Sequence, residues 1–283
     1  MWTRCAIAET RPDVPTASAC FVLPISNPAN LVIFGAHMPP LREWLSRFAV
    51  PSLVSIGVTY AGLWWTQRRA LREPVAPTVP LPLLSGTGKI AAAGIVLAAM
   101  ASMLASAVGM RLGLPTCLAG LVTLGVVSLA ARTSPWRFVR EVSWGSLPLV
   151  AGLFILVEAL DRSGAIRAIS DALRAAADHA PSLTAAAAGL TVAVASNLIN
   201  NLPVGLIAGM AAQMAHVAHN VSSGILIGVD LGPNLSVTGS LATLLWLTAL
   251  RREGIHVKSR DFLRVGLLVM PPAVVLSLGW LWC

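Results

Sequence analysis

The sequence predicts an all-α membrane protein, a polytopic helical bundle that contains a re-entrant hairpin and broken helices. Three observations predict it. Of 283 residues, 56% are hydrophobic and 11% charged, with a mean hydropathy of +0.76. Soluble domains carry about 25% charged residues, so this chain could not coat a globule of its size with polar surface. Several apolar runs approach the roughly 20 residues that a helix needs to cross a bilayer core about 30 Å thick. Polar islands rich in Asn, Pro and Gly interrupt other apolar runs, where a passive membrane helix would carry none. Disorder is excluded by the same composition. The net charge of +8 does not make a nucleic-acid footprint, because the basic residues are spread between apolar runs.

Residues 1–17 hold no apolar run and read as neither a signal-peptide core nor a span. Residues 18–66 contain an apolar run from Phe21 to Phe34, broken by the first island, and a span at 50–66. Pro74, Pro77, Pro80 and Pro82 forbid a helix in 67–89, which reads as a cytoplasmic linker. From residue 90 to the end, spans follow at 90–110, 112–131, 146–160 and 262–282, the third short enough to borrow from its flanks. The segment 165–179 has apolar positions at helical spacing and alternating charge, too polar to span, and reads as an interfacial helix. Between it and the last span, 183–250 is apolar but interrupted. A hairpin over 184–218 turning at Asn200-Asn201-Leu202-Pro203, followed by a broken helix over 224–250, accounts for it.

Orientation follows from Lys and Arg. With 67–89 inside, the loops carrying Arg132, Arg137 and Arg140, and Arg251, Arg252, Lys258, Arg260 and Arg264, also lie inside. A hairpin that enters and leaves on the outer face closes this count. Trp44, Trp64, Trp65, Trp144, Trp280 and Trp282 fall near span ends, where indoles prefer the interface. Cys5, Cys20, Cys117 and Cys283 are scattered and form no ligand cluster.

The islands are Ile25-Ser26-Asn27-Pro28-Ala29-Asn30, then Ser196-Asn197-Leu198-Ile199-Asn200-Asn201-Leu202-Pro203, then Asp230-Leu231-Gly232-Pro233-Asn234-Leu235-Ser236-Val237-Thr238-Gly239-Ser240. A carboxylate at membrane depth costs about 3 kcal/mol or more, and an unsatisfied amide several. Pro28, Pro203, Gly232, Pro233 and Gly239 break helices where irregular backbone survives only if it is buried in protein or lines an aqueous cavity. Secondary transporters build solute sites this way, from freed N–H and C=O groups. The bland alternative is surface loops between ordinary short helices, but the islands almost lack Lys and Arg. Asp230 is the one acidic residue expected deep; Glu158 and Asp161 are read as interfacial, and His216 and His219 as water-facing. Laying residues 26–30 over 239–243 gives a polar break followed by an apolar arm in both, without identity.

The strings FVLPISNPANLVIFG (21–35), MPPLREWLSRFAVPSLVSIGVTY (38–60), ASNLINNLPVGLIAG (195–209), VDLGPNLSVTGSLATLLWLTALRREGI (229–255) and FLRVGLLVMPPAVVLSL (262–278) resemble the arsenical pump membrane proteins (ArsB) of the ion transporter superfamily. The resemblance implies efflux of arsenite or antimonite across the bacterial plasma membrane, driven by protons or assisted by a soluble ATPase, from two inverted repeats. It also implies solute- and ion-binding roles for Ser26, Asn27 and Asn30, for Ser196, Asn197, Asn200 and Asn201, and for Asp230, Asn234, Ser236 and Thr238. The family's first hairpin would precede residue 18, and residues 1–17 do not resemble it, so the first repeat is expected to be incomplete, with 18–66 its remnant and 90–283 the second repeat.

The residues then support three functions. One is proton-coupled arsenite efflux, in which the neutral triol As(OH)₃ meets Asn, Ser and Thr and Asp230 carries the proton. Another is a sodium- or proton-coupled carrier of a dicarboxylate or other anion, favoured by broken-helix N-termini. The last is a non-transporting fragment or an assembly subunit. No enzyme motif occurs, so neither catalysis nor a cofactor is expected. A lipid bilayer is the certain partner, and a homo-oligomer is compatible with the sequence.

Overall fold

The computed structural model describes residues 21–34, 38–68, 85–110, 112–142, 144–252 and 254–282. The N-terminal segment 1–17 and most of the 67–89 linker lie outside them. The described residues form helices and no strand: α1 (Pro28–Phe34), α2 (Leu41–Gln67), α3 (Gly86–Ala107), α4 (Gly113–Ala131), α5 (Pro135–Glu141), α6 (Ser146–Arg162), α7 (Ala165–His179), α8 (Pro181–Ile199), α9 (Asn201–Ala215), α10 (His219–Leu231), a 3₁₀ turn at Gly232–Leu235, α11 (Leu241–Arg252), α12 (Ser259–Gly279) and a terminal 3₁₀ turn at Trp280–Trp282. Five of them, α2, α3, α4, α8 and α12, are long and apolar enough to cross a membrane. The chain is a multi-pass helical membrane bundle.

That set differs in one member from the spans read off the sequence. The 146–160 run becomes α6, 17 residues long, whose last turns carry Glu158, Asp161 and Arg162 and so shorten its apolar length. Glu158 and Arg162 pair at 2.8 Å on its exposed face. α8, one arm of the expected hairpin, is by contrast long enough to cross.

α10 is the centre of the molecule. Ten of its 13 residues are buried, from Val221 to Leu231, and a helix apolar on every side belongs inside a bundle. α8, α9 and α12 surround it, and one hydrophobic cluster joins Val192, Ala193, Val204, Ile225, Leu226, Val229, Met270 and Val274 with Phe21 and Ile33 from the start of the described chain. An aromatic group closes that end. Trp44 and Phe48 of α2 lie 4.7 Å apart between ring centroids and meet Phe34 and Phe21 edge to face at 5.4 and 6.3 Å. The Trp44 indole Nε1–H donates to the Phe21 carbonyl at 3.0 Å, which satisfies a donor that burial would otherwise leave unmet.

α3 and α4 form an antiparallel pair in which Gly94 lets the helices approach, since a Cβ there would stand 2.1 Å from Thr123 Cγ2. Their outer faces expose Ile95, Leu97, Leu104, Leu121 and Leu129, the composition expected of surface that meets lipid. Prolines sit inside two spans, Pro51 in α2 and Pro271 and Pro272 in α12. Membrane helices tolerate prolines better than soluble helices do; the Ser277 hydroxyl of α12 also donates to the Pro51 carbonyl at 3.3 Å, a side-chain contact between the two helices. The amphipathic α7 lies against α9. Its Arg174 guanidinium donates to the Met214 and Ala215 carbonyls at 2.6 and 3.2 Å, closing the C-terminal end of α9 where helix carbonyls lack partners.

Candidate functional site

The three polar islands converge, although up to about 200 residues of chain separate them. In the first, residues 21–26 form turns and α1 begins at Pro28, whose fixed φ and missing N–H suit a first helical position. The Asn27 side-chain oxygen caps α1 by accepting the Ala29 N–H at 3.0 Å. Its Nδ2 reaches across the bundle and donates to Asp230 Oδ1 at 2.6 Å. Ser26 turns back to the Leu23 backbone, and the Asn30 amide donates to the Leu23 and Pro24 carbonyls at 3.3 and 3.5 Å. These two residues shape the turn that presents Asn27.

The second island is the tip joining α8 to α9. Asn200 has φ 112 and ψ 151, a region that L-residues seldom enter and that costs about 1–3 kcal/mol. Its side chain holds the tip on both sides: Oδ1 accepts the Leu202 N–H at 3.3 Å, and Nδ2 donates to the Thr238 carbonyl at 3.2 Å. The Asn201 N–H donates to the Gly239 carbonyl at 2.9 Å. Pro203 follows in the first turn of α9 and is buried. Ser196 is wholly buried and back-bonds to the Val192 carbonyl at 2.8 Å, so its hydroxyl serves its own helix.

The third island leaves α10 through Gly232 and Pro233, which carries no N–H to continue an α-helical ladder. Gly232 is confined: a Cβ would lie 2.4 Å from Ala193 Cα in α8. Its carbonyl accepts Asn197 Nδ2 at 2.8 Å, and the same nitrogen donates to the Ala193 carbonyl at 2.8 Å. The Asn197 carbonyl in turn accepts from Thr238 Oγ1 at 3.1 Å and Ser236 Oγ at 3.4 Å. Gly239 packs on the Pro233 carbonyl, 2.6 Å from where its Cβ would be, and Asn234 is buried in the 3₁₀ turn. Asn197 is thus the rivet between hairpin and break. Asn197→Leu should cost about 1–3 kcal/mol, because the Gly232 carbonyl loses the donor that ties it to α8; urea or SDS unfolding followed by Trp fluorescence reads it, and an unchanged midpoint contradicts it.

Two buried oxygens in this cluster have no hydrogen-bond partner among the described residues, Asp230 Oδ2 and Asn197 Oδ1. Asp230 is 2% exposed. A carboxylate in that position is stable only with a proton or a cation to offset its charge. Asn27 also lines a cavity of about 290 Å³ together with Ile25 and residues of α3 and α4. The Asn27 amide therefore touches both the open space and the buried acid.

Two features escaped the sequence reading. Gly189 of α8, Gly224 and Gly228 of α10, and Gly232 at the start of the 3₁₀ turn form a seam in which a Cβ would meet backbone at 2.1 to 2.6 Å. The signal was visible as glycines at i, i+4 and i+8, the spacing that lets membrane helices approach. Ser102 and Thr116, on the far wall of the cavity, carried no signal beyond being lone hydroxyls in apolar spans.

Helix breaks meeting inside a bundle of apolar spans are the means by which secondary transporters hold solute, and similarity to known proteins places this chain in the ion transporter superfamily, carriers rather than enzymes. Residues 14–229 match the family described as "Citrate transporter", and the chain belongs to that family. The match ends one residue before Asp230. The chain is also similar to the arsenical pump membrane protein of Escherichia coli (strain K12), 22% identical over 274 residues, which cover 93% of this chain and 63% of that relative. An uncharacterized transporter of Mycobacterium tuberculosis (strain ATCC 25618 / H37Rv) is 28% identical over 175 residues, 58% of this chain and 40% of the relative. The chain thus spans less than two thirds of the length of these curated relatives.

Proposed function

We propose that this chain forms the solute-binding portion of an ion-coupled secondary transporter in the bacterial plasma membrane, and that its solute is a small carboxylate of the citrate or dicarboxylate class. The observation that carries the reading is the Asn27–Asp230 hydrogen bond at 2.6 Å, beside the partnerless Asp230 Oδ2. An anionic solute cannot approach an ionised Asp230 without repulsion. Uptake of a proton or cation at Asp230 removes that repulsion and releases the Asn27 amide to face the cavity, so ion and solute bind together. Reciprocal linkage then makes each raise the other's affinity.

A second reading, arsenite or antimonite efflux, is favoured by the arsenical pump relatives, whose alignment runs through 93% of the chain. The neutral triol needs no charge partner, and amide and hydroxyl groups suit it. The site residues, the orientation with 67–89 inside, and any ATPase partner belong to these proposals. Everted vesicles carrying the full chain separate them. Uptake of labelled citrate or succinate under an imposed proton or sodium gradient supports the carboxylate reading, and uptake of arsenite alone supports the second. Neither uptake nor binding of any of these solutes by the purified chain would overturn both.

A further inference from the structure

The cavity beside Asn27 has a second wall. Across from Ile25 and Asn27 it is lined by Ala98 and Ser102 of α3, Thr116 of α4 and Leu112 just before it. Its volume, about 290 Å³, lies near the lower end of small-molecule sites, which begin at about 300 Å³. The wall is apolar except for two hydroxyls, and these touch each other: Ser102 Oγ and Thr116 Oγ1 are 2.8 Å apart. Ser102 Oγ also lies 2.8 Å from the Ala98 carbonyl, and Thr116 Oγ1 2.8 Å from the Leu112 carbonyl. Ser102 is buried, whereas Thr116 is exposed.

Three short oxygen–oxygen contacts therefore share two protons, because each hydroxyl owns one donor and two acceptor lone pairs. If both hydroxyls donate to carbonyls, their own contact sets lone pair against lone pair. If one donates to the other, the carbonyl it leaves keeps its helical N–H donor, as the Leu112 carbonyl keeps the Thr116 N–H at 3.2 Å. Either way the pair has no proton to offer and lone pairs to spare. A donor arriving from the cavity would find accepting lone pairs on these oxygens. Opposite stands the Asn27 amide, which has two N–H bonds and uses one on Asp230 Oδ1.

We infer that Ser102 and Thr116 form the acceptor wall of the solute site and select a solute that carries a hydrogen-bond donor, a hydroxyl in particular, beside its oxyanion or oxyacid groups. This rests on the transport reading above and adds specificity to it. An apolar helix pair packed elsewhere would serve as a passive scaffold; here α3 and α4 read the solute's hydroxyl while the helix breaks hold its acidic groups.

The test compares citrate with tricarballylate, which keeps the three carboxylates and lacks the hydroxyl. Their binding to the full purified chain is measured by titration calorimetry beside arsenite, which donates three O–H bonds. Wild type should bind citrate about tenfold tighter than tricarballylate, the worth of one well-made hydrogen bond. The double variant Ser102→Ala with Thr116→Val should bring the two to within about twofold. Thr116→Ser, which keeps the hydroxyl, should retain the preference and serves if the double variant does not fold. If arsenite is the solute that binds, the double variant should weaken it by about tenfold. A citrate preference, or an arsenite affinity, that survives in the double variant overturns the acceptor wall and leaves transport standing. A wild-type chain that binds none of the three overturns the transport reading and the wall with it.

Discussion

Asp230→Asn should abolish ion-driven accumulation of solute while leaving the bundle folded. The side chain is 2% exposed and its Oδ1 accepts the Asn27 amide at 2.6 Å. An asparagine keeps that acceptor and the volume, so stability should stay within about 1 kcal/mol of wild type. It can no longer gain or lose a proton or attract a cation, so the coupling between ion and solute disappears. Coupling free energies of ~1–3 kcal/mol correspond to a loss of about tenfold or more in the accumulation ratio. Solute exchange down its own gradient should persist, since binding needs no ionised carboxyl. Vesicles loaded with labelled solute and challenged with an imposed gradient measure both. Asp230→Leu supplies the contrast: it strands the Asn27 Nδ2 at a cost of about 1–3 kcal/mol, so it should lose stability as well as accumulation. Wild-type accumulation by Asp230→Asn removes Asp230 from the coupling step.

Much of the architecture behind this prediction is legible in the chain. Composition and apolar run length announce a multi-pass helical bundle, and α3 and α4 fall within a few residues of the runs at 90–110 and 112–131. Helix breaks are legible for the same local reason: Asn200 at a positive φ and Gly232-Pro233 after α10 are stereochemical necessities written in three or four residues. Partnership is not local. Nothing near Asn27 says that its amide meets Asp230, 203 positions away. Overlaying the islands as a repeat aligned residues 26–30 with 239–243, which is a likeness of pattern and carries no information about contact. The 146–160 run reads as a short span that borrows from its flanks, because its apolar core is obvious and the shortening effect of Glu158 and Asp161 is gradual. Ser102 and Thr116 carry no signal in the sequence, because a hydroxyl in an apolar helix ordinarily bonds the carbonyl four residues back. Both do so here; only the fold brings the two together.

Gly228→Ala should be among the most damaging single-methyl additions in the molecule. A Cβ at Gly228 would lie 2.1 Å from the Gly189 carbonyl oxygen, 2.9 Å from its carbonyl carbon and 3.0 Å from its Cα. These are backbone atoms, so no rotamer change makes room. α10 must move away from α8, yet it is held by α9 and α12 on its other sides, and the seam repeats one turn above at Gly224, 2.3 Å from the Ala185 oxygen, and one turn below at Gly232. Overpacking costs about 1–3 kcal/mol where side chains can adjust, so about 3 kcal/mol or more is expected here. The damage extends to the site, because parting α8 from α10 also parts Asn197 from the Gly232 carbonyl, now 2.8 Å away. Gly57→Ala in α2 is the matched control: nothing lies within 4 Å of its Cβ position, and a helical Gly to Ala change there should be neutral or stabilising by up to about 1 kcal/mol. SDS-induced unfolding in mixed micelles, followed by the fluorescence of the nine Trp residues, compares the two directly. Equal midpoints for Gly228→Ala and Gly57→Ala mean that α8 and α10 stand further apart than contact between their backbones requires, and the rivet at Asn197 loses its geometry with them.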